Sequence, residues 1–304
     1  MLCVQLTRWM HYAAQLKTTY LSTCVTNGLC SVVAVSGNLV IILAILRNSS
    51  LHTPSYVLLC NLAISDLGVG LVAQPLFIAL RVTEAKGLVD ISCYLGFAYF
   101  STAGCLVWLS LMTVTAISVD RFLAVHLAIK YRSTVTVKKA KFLVVFLWIV
   151  SILIAMVYVV DMEVYFVVIM TVISSCLLLA SCNYFTIGRV LRRQQIQIHG
   201  RDRQQKVSPF NIRRYKKTVT SMMYIYGVFL LCYLPYLFFS LALKLVGRTT
   251  TVHSAYLITA TIVLSNSALN PCLYYWRMSE LRLGIKQLLG REVLGSVRES
   301  SLQM

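Results

Sequence analysis

Asp66 is the one carboxylate that falls deep inside an apolar run of this chain, with no Lys or Arg at its depth. A lone carboxylate in hydrocarbon needs a proton, a cation or several hydrogen-bond donors. Candidate partners follow from helical arithmetic. Ser110 precedes Arg121 by close to three helical turns, so both point along one face. At 1.5 Å per residue Ser110 lies roughly 16 Å further in, and Asp66 reaches a similar depth from the start of its own run. Asn266 and Asn270 are one turn apart on one face near the middle of the last run. Asp66, Ser110, Asn266 and Asn270 together suit a small hard cation bound by oxygens, or a water cluster. The plainer reading is interhelical glue. For Asn38, well inside the first run, that reading is the better one.

Other chemistry is excluded. The five histidines are scattered, no nucleophile–base constellation or phosphate-cradling glycine loop occurs, and no cysteine pair has zinc-ligand spacing. Six of the ten cysteines (Cys60, Cys105, Cys176, Cys182, Cys232, Cys272) lie well inside apolar runs, where cysteine acts as a small hydrophobe. Nothing points to an enzyme.

The elements that must carry these groups are membrane spans. The chain is 58% hydrophobic and 12% charged, against about a quarter charged in soluble domains. Apolar runs of at least ~18 residues occur seven times: 24–47, 55–80, 93–126, 140–160, 164–188, 218–243 and 254–276. The fold class is all-α, a seven-helix membrane bundle. Its predicted organisation is an extracellular segment 1–23 without a cleaved signal peptide, a bundle 24–276, an interfacial helix 277–290 and a cytoplasmic tail 291–304. Only Arg8, Lys17, Arg81, Lys86, Lys244 and Arg248 of the 28 basic residues fall in the N-terminal segment and even-numbered loops. Positive charge stays cytoplasmic, so the N-terminus is expected outside. The net charge of +18 thus records topology, and no nucleic-acid partner is implied. In "RMSELRLGIKQLLG", Met278, Leu281, Ile285 and Leu288 recur at helical spacing opposite Arg277, Arg282 and Lys286, a pattern for a helix lying on membrane lipids.

Six stretches, each in its own run, carry a resemblance: "GNLV" at 37–40, "NLAISD" at 61–66, "DRF" at 120–122, Trp148, "FLLCYLP" at 229–235 and "NPCLY" at 270–274. Over nearly its full length the chain resembles a rhodopsin-like (class A) G-protein-coupled receptor of the plasma membrane. The resemblance implies an extracellular ligand, a heterotrimeric G protein as partner, and no cofactor beyond an allosteric Na⁺ at the Asp66 group. It implies that Arg121 is released from Asp120 to meet the Gα subunit, and that Ile129 inserts an apolar knob there. Tyr184 and Tyr274 would approach through water on activation. Asn270 and Pro271 would mark the moving part of helix seven, Pro235 the kink of helix six, and Phe229 the aromatic packed beneath it.

Several positions depart from that pattern. Tyr233 stands where most members have a tryptophan, Cys176 where helix five has a proline, and Tyr215 where an acidic partner for Arg121 often sits. The last change implies a weaker inner lock and some ligand-independent activity. Only "DMEV" (161–164) separates runs four and five, and it contains no cysteine. Cys93 lies about one turn outside the usual bridging position, here Gly96, with Cys3 and Cys24 as open alternatives for a partner. The short loop and absent proline are similar to the melanocortin and lipid-receptor branch; the acidic residues that melanocortin receptors carry at the tops of helices two and three have no counterpart here. The family's amine-binding aspartate position is Ala103, and run seven has no lysine for retinal. Tyr99, Phe100, Gly104, Val107, Tyr233, Tyr236, Tyr256 and Ala260 would complete an aromatic, uncharged pocket around Ala103. This predicts an apolar or neutral ligand, a lipid mediator, or a peptide held by aromatic contacts near Asp161, Glu163 and His253. The rival function is a small ion transporter or channel with Asp66 as relay, though neither internal repeats nor paired broken helices occur.

Overall fold

The computed structural model of the chain describes residues 15–127, 130–200, 209–247 and 249–288. Seven described helices are long and apolar enough to cross a bilayer. They are α1 (Lys17–Arg47), α2 (Pro54–Ala85), α3 (Val89–Leu127), α4 (Val137–Val160), α5 (Met162–Gly200), α6 (Pro209–Leu245) and α7 (Thr250–Arg277). A shorter helix, α8, covers 279–288. No strand occurs among the described residues. Helices satisfy every backbone group within one segment, which hydrocarbon requires.

All seven predicted runs are present, and each helix outlasts its run. α1 begins at Lys17, seven residues before the start of run one. α5 has 39 residues, roughly 58 Å against a hydrocarbon core of about 30 Å. Its polar last turns escape a hydropathy criterion. The link between α4 and α5 is shorter than four residues: Asp161 alone breaks the helices. Its carboxylate caps α5, accepting from the backbone N–H of Glu163 at 2.7 Å and of Val164 at 3.1 Å.

The links α2–α3, α4–α5 and α6–α7 gather where α1 starts, the N-terminal face. Gly87 (φ +71°) and Gly247 (φ +86°) make the left-handed turns there. α2 carries a π-helical turn, Val69–Ala73, just before Pro75. Proline cannot donate to the carbonyl four residues back, and a π turn is one way a helix absorbs that. On the C-terminal face α8 buries Leu281, Ile285 and Leu288. Asn48 Nδ2 donates to Gln287 Oε1 at 3.1 Å and Tyr56 Oη to Glu280 Oε2 at 3.1 Å. α8 starts at 279, after Arg277 closes α7 and Met278 caps it. Residues 289–304 lie outside the described residues.

The interior is aromatic and aliphatic, with Trp108, Tyr165, Phe229, Tyr233 and Tyr274 in one buried cluster. The outward surface keeps Leu29, Phe142, Leu153, Leu178, Leu231 and Phe238 exposed. In water so wide an apolar surface would aggregate; in lipid it is the ordinary exterior.

Candidate functional site

At mid-bundle, Asp66 is fully buried and its carboxylate is a junction of three helices. Ser267 Oγ and Ser110 Oγ donate to Oδ1 at 2.8 and 3.3 Å, and Asn270 Nδ2 donates to Oδ2 at 2.7 Å. Ser110 also bonds Ser65 at 2.8 Å. Ser110 and Asn270 therefore reach Asp66 as the helical arithmetic predicts. Asn266 does not bond it: the side chain is buried and its Oδ1 has no hydrogen-bond partner. Ser267 takes that place and was missed, although it sits three residues before Asn270, a spacing that shares a helix face. The Oδ1 of Asn270 is likewise buried without a partner. Asn38 Nδ2 donates to the Ser267 carbonyl at 3.0 Å, the tie expected of it. A further polar chain binds three helices: Trp148 Nε1 donates to Asn61 Oδ1 at 3.0 Å, and Asn61 Nδ2 to Thr113 Oγ1 at 2.8 Å.

On the C-terminal face, Asp120 collects four donors. Arg121 Nε reaches Oδ2 at 3.0 Å, with Nη2 on the same oxygen. Ser55 Oγ donates to Oδ2 at 2.8 Å and Tyr131 Oη to Oδ1 at 2.6 Å, while Arg121 Nη2 also contacts Ser55. Burial and the Asp120 carboxylate push the Tyr131 phenol up to about 12, because ionising it would place a second anion beside the first. Arg121 is thus held shut on Asp120 by α2 and by the turn Tyr131–Thr134, partners absent from the sequence reading. Ile129 and the side chain of Tyr215 lie outside the described residues. Tyr184 packs against Tyr226 with the rings tilted (centroids 5.1 Å, planes 31° apart), and the buried Tyr274 hydroxyl has no hydrogen-bond partner. Phe229 stacks on Tyr233 at 5.7 Å with planes 7° apart, six and two residues before Pro235 inside α6. Arg277 of α7 lies 3.6 Å over the Tyr224 ring of α6.

Toward the N-terminal face, a cavity of about 270 Å³ opens between α2, α3, α4, α5, α6 and α7. Tyr99, Phe100, Ala103, Gly104, Val107, Tyr233, Tyr236, Tyr256 and Ala260 all line it. The wall is not free of charge, however. Arg81, Glu84, Glu163, Lys244 and His253 line it too. Arg81 and Glu84 fall beyond the predicted end of run two, yet α2 continues to Ala85 and buries both. They survive there as a pair, Nη1 to Oε2 at 2.6 Å, which spares the cost of an isolated charge. Glu84 is therefore an acidic residue at the top of helix two, contrary to the expectation that none exists. Lys244 pairs with Glu163 across the mouth. Asp161 is engaged in capping. Tyr165 of α5 fills a notch at Gly104, and Trp108 Nε1 donates to its hydroxyl at 3.5 Å. Cys93 is disulfide-bonded, and Cys24 is a free thiol, so Cys24 is not its partner.

The sequence matches the 7 transmembrane receptor (rhodopsin family) over residues 37–165 and 158–274. It is 28% identical to melanocortin receptor 3 of Rattus norvegicus over 270 residues, 85% of this chain and 82% of that protein. Melanocortin receptor 3 of Homo sapiens is 28% identical with the same coverage, and that of Mus musculus 27%. This likeness supports a class A receptor that signals through G proteins and not an enzyme, and the ion-transporter reading of Asp66 is set aside. With its seven spans in that order, and Asn38, Asp66, Arg121 and Asn270 of its motifs buried inside the bundle, the chain belongs to the rhodopsin family of seven-transmembrane receptors.

Proposed function

We propose that this receptor lies in the plasma membrane with its N-terminus outside, and that a predominantly apolar ligand such as a lipid mediator, entering the aromatic cavity, triggers it. The observation that carries the ligand class is the state of the cavity's carboxylates. The buried Glu84 is paired with Arg81, and the exposed Glu163 at the mouth with Lys244, so an ammonium deep in the cavity finds no spare counter-ion. Cation–π contact with the tyrosines recovers only about 1–2 kcal/mol, less than the several kcal/mol of burying a charge. The second reading is a peptide held by aromatic contacts at the mouth. The relatives' name makes melanocortins necessary members of any panel. Second-messenger assays in cells expressing the receptor should show lipids acting at lower concentrations than monoamines. Submicromolar activation by a monoamine, lost when Gly104 or Val107 is changed, would overturn the assignment.

The same reading assigns Na⁺ to the Asp66 group as a ligand of the resting state. Its support is a fit: Asn270, which bonds the carboxylate, keeps its buried Oδ1 without a hydrogen-bond partner, as does Asn266 one turn earlier, and oxygen is what a hard cation takes. Replacing a bulky cation by Na⁺ at constant ionic strength should lower agonist affinity by roughly 5-fold or more, with agonist lowering Na⁺ affinity equally. Asp66→Asn should flatten the response. A wild-type receptor indifferent to Na⁺ would make the group a water cluster instead.

A further inference from the structure

The cavity's carboxylates are committed, but one of its cations has donors to spare. Arg81 is 5% exposed, in the last turns of α2. Its guanidinium carbon lies 5.2 Å from the Phe77 ring centroid and 5.8 Å from that of Tyr20, so the plane is steadied by aromatic neighbours. Nη1 donates to Glu84 Oε2. Nε is buried and has no hydrogen-bond partner. A guanidinium carries five N–H donors in a rigid fork that matches a carboxylate in bidentate fashion. With Nη1 occupied by Glu84 and Nε unpaired, the guanidinium keeps donors for such a group at the cavity wall that it lines. An unused buried donor costs free energy that a bound acceptor recovers. Tyr99, Phe100 and Val107 line the same cavity beside this cation, and a volume of about 270 Å³ is at the low end for small-molecule sites.

We propose that Arg81 anchors the carboxylate of an amphiphilic acid whose hydrocarbon body lies along Tyr99, Phe100 and Val107. The proposal rests on the reading of the cavity as the site of a largely apolar ligand and adds the chemistry of that ligand's polar end. Glu84 acts as the internal counter-ion of Arg81 when no acid is bound and competes with the acid when one arrives. Removing it therefore strengthens acid binding, whereas it would weaken the binding of a cation.

The test uses the full chain in lipid nanodiscs and four matched probes: dodecanoic acid, its methyl ester, dodecanamide and dodecylamine. On the wild type the acid should bind roughly 10–100-fold more tightly than the ester, the range of a charge-assisted hydrogen bond. Arg81→Gln should bring the acid down to the level of the ester. Arg81→Lys, which keeps the charge without the fork, should restore part of the difference. Glu84→Gln should raise acid affinity, and it keeps the proposal testable where the Arg81 variants fail to fold. Equal binding of acid and ester to the wild type overturns the anchor while leaving the apolar cavity standing. Preference for dodecylamine, or binding of none of the four, overturns both.

Discussion

At the scale of single residues, Gly104 shows how a bare backbone position shapes the cavity. A Cβ there would come within 2.5 Å of the Tyr165 hydroxyl oxygen, so Gly104→Ala must push Tyr165 out of its notch and away from Trp108. Overpacking of this kind costs about 1–3 kcal/mol. Thermal unfolding in detergent should show that loss, and Tyr165→Phe in the same background should recover most of it. A Gly104→Ala protein as stable as the wild type would mean that Tyr165 is not held there. Gly104 entered the sequence reading only as a neighbour of Ala103. A glycine's emptiness has no meaning until the side chain that fills it is known, and Tyr165 lies on another helix. Arg81 and Glu84 were illegible for a different reason. Their charges closed the apolar run, although an opposite pair at i,i+3 can be buried as a neutral unit. Asp66, Ser110, Asn270 and Asp120–Arg121 were legible, because a polar atom in hydrocarbon is conspicuous and its depth follows from counting residues.

The next scale is the helix pair. Pro271 has no N–H, so the Ser267 carbonyl four residues earlier loses its helical donor. Asn38 of α1 supplies the replacement at 3.0 Å, and the Ser267 hydroxyl meanwhile holds Asp66. Gly37 lets the proline ring come close: a Cβ on it would sit 2.7 Å from Pro271 Cβ. "GNLV" and "NPCLY" are thus two halves of one α1–α7 joint, which explains a glycine and an asparagine side by side. Each half was readable alone. Their contact was not, since the partner of a buried asparagine cannot be read from its own helix. Asn38→Ala should leave the carbonyl orphaned, at about 1–3 kcal/mol, and lower the unfolding temperature. Gly37→Val should be worse and reduce surface expression, because the opposing atoms belong to a ring fixed to the backbone. Undiminished stability in both variants would contradict the joint.

For the whole molecule, the sequence conveys the number and order of the spans and the face each motif presents, because lipid imposes a length and a polarity that leave few alternatives. It does not convey helix ends. The polar turns of α5 and α6 extend past the apolar runs, and only their backbone hydrogen bonds mark them as helix. The bundle so described is closed on its C-terminal face, with Arg121 bound to Asp120, Ser55 beside both and Tyr131 on the far oxygen. On the proposed function, Arg121 leaves that cluster for the G protein when the receptor signals. The most direct measurement is guanine-nucleotide exchange on a panel of Gα subunits by membranes bearing the wild type or Arg121→Ala, matched for surface expression and read with and without the panel of lipids and peptides. The wild type should drive exchange on at least one Gα class above receptor-free membranes, and Arg121→Ala should lose most of it. Equal exchange by the two receptors would contradict the account.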